Sequence, residues 1–95
     1  MKSLLIDLIY NIDNDINFDE SLLQITKLIK TGKINENDII DAVLNSSIND
    51  KNKVLNDIAV YLYNNQLYDY IIPLLSKSYE LNNQHRDTVY NLAFF

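Results

Sequence analysis

Apolar residues return at every third or fourth position along nearly the whole chain, and six stretches carry that helical period. In the first, Leu4, Leu5, Leu8, Ile9 and Ile12 share one face, and the polar run around Asn11, Asp13, Asn14 and Asp15 ends it. The second starts near Asp19 with acids in its first turn and carries Leu22, Ile25, Leu28 and Ile29. It stops at Gly32, a residue suited to the left-handed turn after a helix. The third is short. Asn35 can cap it, Asp38 follows three residues on as a capping-box partner, and its face is Ile39, Ile40, Val43 and Leu44, with Asn45-Ser46-Ser47 beyond. The fourth covers about residues 50–64, with Leu55, Ile58, Ala59 and Leu62 inward. The fifth covers about residues 68–81, with Ile71, Leu74, Leu75 and Ser78 inward and Pro73 near its first turn, where a missing amide costs least. The sixth begins around Arg86 or Asp87 and is still helical in pattern at Phe95.

Short connections make consecutive helices pack antiparallel. With one Gly and one Pro in 95 residues, the pattern predicts a single all-α domain of about six helices and argues against a sandwich or barrel. An open stack of helical hairpins is the expected arrangement, and a closed bundle is the alternative. Ile and Asn are abundant while Ala is scarce, the bias expected of AT-rich codons, so the Asn content is not read as a binding ladder.

Charge and cysteine narrow the function classes. The net charge is −5, and Lys27, Lys30 and Lys33 are the nearest thing to a basic cluster. They fall around a helix C-terminus, where cations suit the dipole. Binding of nucleic acid or an anionic membrane has no electrostatic footprint here. There is no Cys, hence no disulfide framework or thiolate site. Asp7 interrupts the apolar start Leu4-Leu5-Ile6, and no small-residue cleavage site follows, so a secretory leader is not expected. No stretch is long enough to span a bilayer. The chain reads as soluble and cytoplasmic.

An internal match adds architecture. Val89-Tyr90-Asn91-Leu92-Ala93 aligns under Leu55-Asn56-Asp57-Ile58-Ala59 at a shift of 34 residues. A fixed period of that length marks a stacked helical-hairpin array. On these residues the chain resembles a tetratricopeptide repeat (TPR). The family's large apolar, Leu-like, small and apolar positions of its first helix fall on Leu55, Ile58, Ala59 and Leu62. Its Tyr-like position after the turn falls on Tyr68, and its second-helix positions on Ile71, Leu75 and Ser78, followed by Tyr79-Glu80-Leu81. Gln66 replaces the family's turn Gly, Ile71 is larger than the usual residue, and Asn83 replaces the Pro after the helix.

The domain organisation implied is one helical-repeat domain, residues 1–95, in four parts. Residues 3–32 form a degenerate hairpin and residues 35–47 an inserted helix. Residues 52–85 form the TPR-like repeat, and residues 86–95 the first helix of a further, truncated repeat. The resemblance implies a right-handed α-solenoid fragment. Similar arrangements occur near the N-terminus of some bacterial glycosyltransferases and methyltransferases.

Chemistry has few places to reside. His85, the one His, lies in a polar loop with no Cys and no spaced acid, and reads as a surface residue. Asp13, Asp15, Asp19 and Glu20 lack the Gly and closing Glu of a calcium loop. Asp38 and Asp41 read as a solvated face, since general acid–base work needs a shifted pKa. Phosphate-loop and nucleophile-elbow motifs are missing. No enzyme activity, cofactor or metal is expected.

The resemblance implies that first helices line a concave face, which would carry Asn56, Val60, Tyr63 and Asn64 from one repeat and Tyr90, Asn91 and Phe94 from the next. Aromatics beside Asn suit a peptide groove; packing of Tyr63, Tyr90 and Phe94 against neighbouring helices is the equal alternative. Asn56 and Val60 stand where carboxylate-gripping repeats carry Lys and Asn, which argues against clamping a C-terminal carboxylate. Leu92, Phe94 and Phe95 form a poor polar cap. The chain is therefore read as the N-terminal piece of a longer bacterial protein, or as pairing with a second copy through this end.

The expected function is a non-catalytic interaction or scaffold module for a peptide, a protein or a downstream domain of the same chain. Two alternatives stand beside it: an accessory domain of a glycosyltransferase or methyltransferase, and a standalone oligomerising adaptor.

Overall fold

The helices form where the periodicity places them. In the computed structural model, which describes residues 2–95, they are α1 (Lys2–Asp13), α2 (Phe18–Lys30), α3 (Glu36–Leu44), α4 (Lys51–Asn64), α5 (Ile71–Leu81) and α6 (Arg86–Phe94). A 3-10 turn at Tyr68–Tyr70 leads into α5. Among the described residues there is no strand.

Helix ends follow local hydrogen-bond chemistry. The capping box at α3 is present: the Asp38 amide donates to Asn35 Oδ1 at 3.0 Å and the Asn35 amide to Asp38 Oδ2 at 2.9 Å. Three helices end in the same double bond back into the last turn, through a residue in the left-handed region. After α1 the residue is Asp15 (φ 54°), with the Ile16 amide donating to Asn11 O. After α2 it is Gly32 (φ 73°), with Lys33 donating to Leu28 O. After α4 it is Gln66 (φ 63°), with Leu67 donating to Leu62 O. Pro73 sits at the third position of α5, among amides that lack an intrahelical acceptor.

In α1 and α3 the core stripe is narrower than the apolar pattern suggested. Leu5, Leu8, Ile9 and Ile12 of α1 are buried, whereas Leu4 is 44% exposed. In α3, Ile39, Ala42 and Val43 are buried, Ile40 is half-buried and Leu44 is exposed. Leu44 follows Val43 by one residue and so lies about 100° round the helix from it. The expected inward residues of α2, α4 and α5 are all buried.

α4 is the hub, in contact with each of the other five helices. Its Val54, Leu55, Ile58, Ala59 and Leu62 are essentially inaccessible. α1 packs on α2, α3 and α4; α3 lies in the core against α1, α4 and α5; α6 rests on both α4 and α5. The small side chains of Ala42 and Ala59, both buried, leave room for the helices that cross them. The radius of gyration is 11.9 Å, close to the ~12 Å expected of a globular chain of this length. No described helix is long and apolar enough to cross a membrane.

Candidate functional site

The seven residues expected on a partner-binding face are distributed over three environments and open solvent. Asn56 and Asn91 belong to a polar network that ties α6 to α4 and α5. Asn56 is only 4% exposed and is not on an open face, which corrects the expectation for that residue. Its Nδ2 donates to Asn52 O (2.8 Å) and Thr88 Oγ1 (2.7 Å), and its Oδ1 accepts from Asn91 Nδ2 (2.8 Å). Ser78 Oγ lies 2.7 Å from Thr88 Oγ1, and Asn52 Nδ2 donates to Ser78 Oγ at 2.7 Å. Ser78 and Thr88 are fully buried.

His85 is the outer end of this network, not a free loop residue. Its Nδ1 accepts the Thr88 amide (3.3 Å) as the N-cap of α6 and lies 2.8 Å from Thr88 Oγ1. One assignment satisfies every group. Nε2 carries the imidazole proton, Thr88 donates its hydroxyl to Nδ1, and Thr88 Oγ1 accepts from Ser78 and Asn56. Among the described residues no buried side-chain polar atom lacks a partner.

Tyr63 and Phe94 fall in the second environment, an aromatic group at one end of α4. Tyr63 has its ring centroid 4.6 Å from Phe95, 5.6 Å from Tyr68 and 6.3 Å from Phe94. Both Tyr63 and Phe94 keep exposed surface, so they pack and still present a face to solvent. Tyr90 joins none of these groups and is 69% exposed.

Val60 and Asn64 line the third environment, a cleft of about 260 Å³ between α2 and α4. Phe18, Asp19 and Leu22 form its α2 side; Asp57, Val60, Tyr61 and Asn64 form its α4 side. Phe18 is held by Lys53, whose Nζ stands 5.2 Å above its ring. The same ammonium donates to Ile12 O (2.9 Å), Asp57 Oδ2 (3.0 Å) and Asp15 Oδ1 (3.3 Å), pinning the α1–α2 loop to α4. Burial works against the charge on Lys53, but Asp57 and Asp15 outweigh it and raise its pKa. For Asp57 the balance is the reverse. Burial pushes its carboxyl up, Lys53 offsets only part of that, and Asp15 and Asp87 add repulsion.

Sequence reasoning missed Phe18, Asp19, Leu22, Asp57 and Tyr61. Asp57, Tyr61 and Asn64 do recur at helical spacing on α4, away from the stripe of Leu55, Ile58, Ala59 and Leu62. Asp38 and Asp41 are exposed, and Asp38 is engaged in its capping box. Among the described residues no group of three or more His, Cys, Asp or Glu side chains is placed to hold a metal ion.

No protein-family model, curated protein or solved structure matches the chain. What fold and site define by themselves is a class: among the described residues, a small all-α domain of six helices, with α4 in contact with both α2 and α6.

Proposed function

We propose that this is a non-catalytic protein-interaction module of tetratricopeptide-repeat type, working in a reducing cytoplasm. It holds a peptide segment, or an adjoining domain, along the α2–α4–α6 face. The observation that carries this reading is the exposure of Val60, Tyr63, Tyr90 and Phe94 along the outward side of α4 and α6. Exposed large apolar and aromatic side chains that cluster mark interaction surfaces more often than isolated ones do, and Tyr63 and Phe94 stand ring to ring at 6.3 Å. The repeat reading is supported by the 34-residue match and by α6 resting on both α4 and α5, as the first helix of a following repeat would.

The test is selection of a random dodecapeptide phage library on the full chain, followed by titration of the enriched peptides into ¹⁵N-labelled protein. Saturable shifts at the amides of Val60, Tyr63, Asn64 and Tyr90 support the reading. Enriched peptides that shift only other regions, or a library that yields none, overturn it.

A second reading rests on a separate observation. Val89, Tyr90 and Phe94 are all exposed on α6, and α6 could cover them by meeting α6 of a second copy. Light scattering across a hundredfold concentration range decides this. A mass that rises towards twice 11.1 kDa supports self-association, and a constant monomer mass removes it.

A further inference from the structure

The α2–α4 cleft is too small for a cofactor-sized ligand, since pockets for such molecules begin at about 300 Å³; at about 260 Å³ it suits one long side chain. Its walls are mixed. Phe18, Leu22, Val60 and Tyr61 provide apolar and aromatic surface, while Asp19 and Asp57 provide carboxylates. Asp15 and Asp87 stand close enough to act on Asp57 electrostatically. Against these four acids the local cation is Lys53, and its ammonium protons are already engaged by Ile12 O, Asp57 and Asp15. Lys53 reaches only Oδ2 of Asp57. The cleft thus keeps a negative excess in a chain whose net charge is already −5.

Resting on the peptide-binding reading above, we propose that this cleft selects a basic partner: a Lys or Arg side chain of the bound peptide enters between α2 and α4. Its methylene stem lies on Phe18, Leu22 and Val60, and its cationic head meets Asp57 and Asp19. Long basic side chains are built for such a site, because an apolar stem can be buried while the charged head stays hydrogen-bonded. Negative potential over the face also speeds encounter with basic segments. An acidic peptide meets repulsion from the same carboxylates and is rejected.

The experiment titrates the full ¹⁵N-labelled chain with three blocked pentapeptides, acetyl-Ala-Leu-X-Leu-Ala-amide, with X being Arg, norleucine or Glu. The Arg peptide is expected to shift the amides of Asp19, Leu22, Val60, Tyr61 and Asn64 saturably. Its affinity should exceed that of the norleucine peptide by about tenfold, the scale of one charge-assisted hydrogen bond. Raising the ionic strength should weaken it, and the Glu peptide should not bind. Asp57→Asn should erase most of the difference between Arg and norleucine. Asp19→Asn, at an exposed first-turn position of α2 where the fold is not at stake, should reduce it about threefold.

Equal binding of the Arg and norleucine peptides overturns the basic preference and leaves the peptide-binding reading intact. Binding of the Arg peptide away from the cleft, or unaffected by both substitutions, overturns the proposed site. Failure of all three pentapeptides while library-selected peptides still bind the face also overturns it. Failure of every peptide removes both readings.

Discussion

Thr88 has one hydroxyl and three side-chain partners, Asn56, Ser78 and His85, within 2.8 Å. Replacing it with Val keeps the shape but removes the hydroxyl that each of the three shares, and the Ser78 hydroxyl proton loses its acceptor, so Thr88→Val should cost about 1–3 kcal/mol, the penalty for a buried polar group left unsatisfied. Thr88→Ser should cost much less. Urea unfolding with an unchanged m value checks both, and a loss under ~0.5 kcal/mol for the Val variant would contradict the network. Asp57 makes a pH-dependent prediction. Its folded pKa lies above the ordinary 3.8, so the folded state binds more protons than the unfolded state in the window between those two values. Its contribution to stability is therefore fully present below 3.8 and is lost as pH rises through the raised value. Asp57→Asn cannot ionise. Its stability relative to the parent chain should climb with pH across that window and level off above it, which thermal melts in parallel buffers would show. A flat difference would mean that Asp57 is not strained by burial.

At the scale of the element, Asp15, Gly32 and Gln66 do the same job at three helix ends, but only one of them is Gly. A side chain in the left-handed region costs about 1–2 kcal/mol, part of which Gly gives back through its larger unfolded-state entropy. Gln66→Gly should therefore stabilise the chain by about 0.5–1 kcal/mol. Gly32→Ala should cost about 1 kcal/mol, although nothing lies within 4 Å of where its methyl group would stand. Equilibrium unfolding of the pair separates backbone strain from crowding, because crowding predicts no effect at Gly32. These ends also show what was legible in advance. Gly32 could be read as a stop, and Gln66 as the place where a turn Gly is missing. The turn itself forms because Leu62 O and Tyr63 O need donors, and a polar residue can be held in the required conformation by its neighbours. The capping box at α3 was readable because its two partners are only three residues apart. The cleft was not, because Phe18 and Asp57 meet only through the packing of α2 on α4, and nothing local in either segment announces the other.

At the scale of the whole molecule, α4 and α6 carry matching sequence but unequal burial. Leu55 and Ala59 are inaccessible, whereas their counterparts Val89 and Ala93 are exposed. Thr88 is the one buried residue of α6. α6 should accordingly open on its own, with amides exchanging at least about tenfold faster than those in the middle of α4, and native-state hydrogen exchange reads this directly. Equal protection of the two helices would mean that the domain opens as one unit. The periodicity thus revealed which residues of α4 face inward, and could not reveal that the same pattern in α6 stays uncovered, since burial depends on the neighbour as well as on the stripe. The polar seam has one more consequence, for how such a chain changes over generations. Asn56, Ser78 and Thr88 sit on three helices and satisfy one another's hydrogen bonds. A change at any one of them takes a hydrogen bond from the other two, so single steps are penalised more than joint replacement by apolar residues of matching shape. These positions should drift together or not at all, a correlated trio in descendants of this gene even where the surrounding surface has diverged.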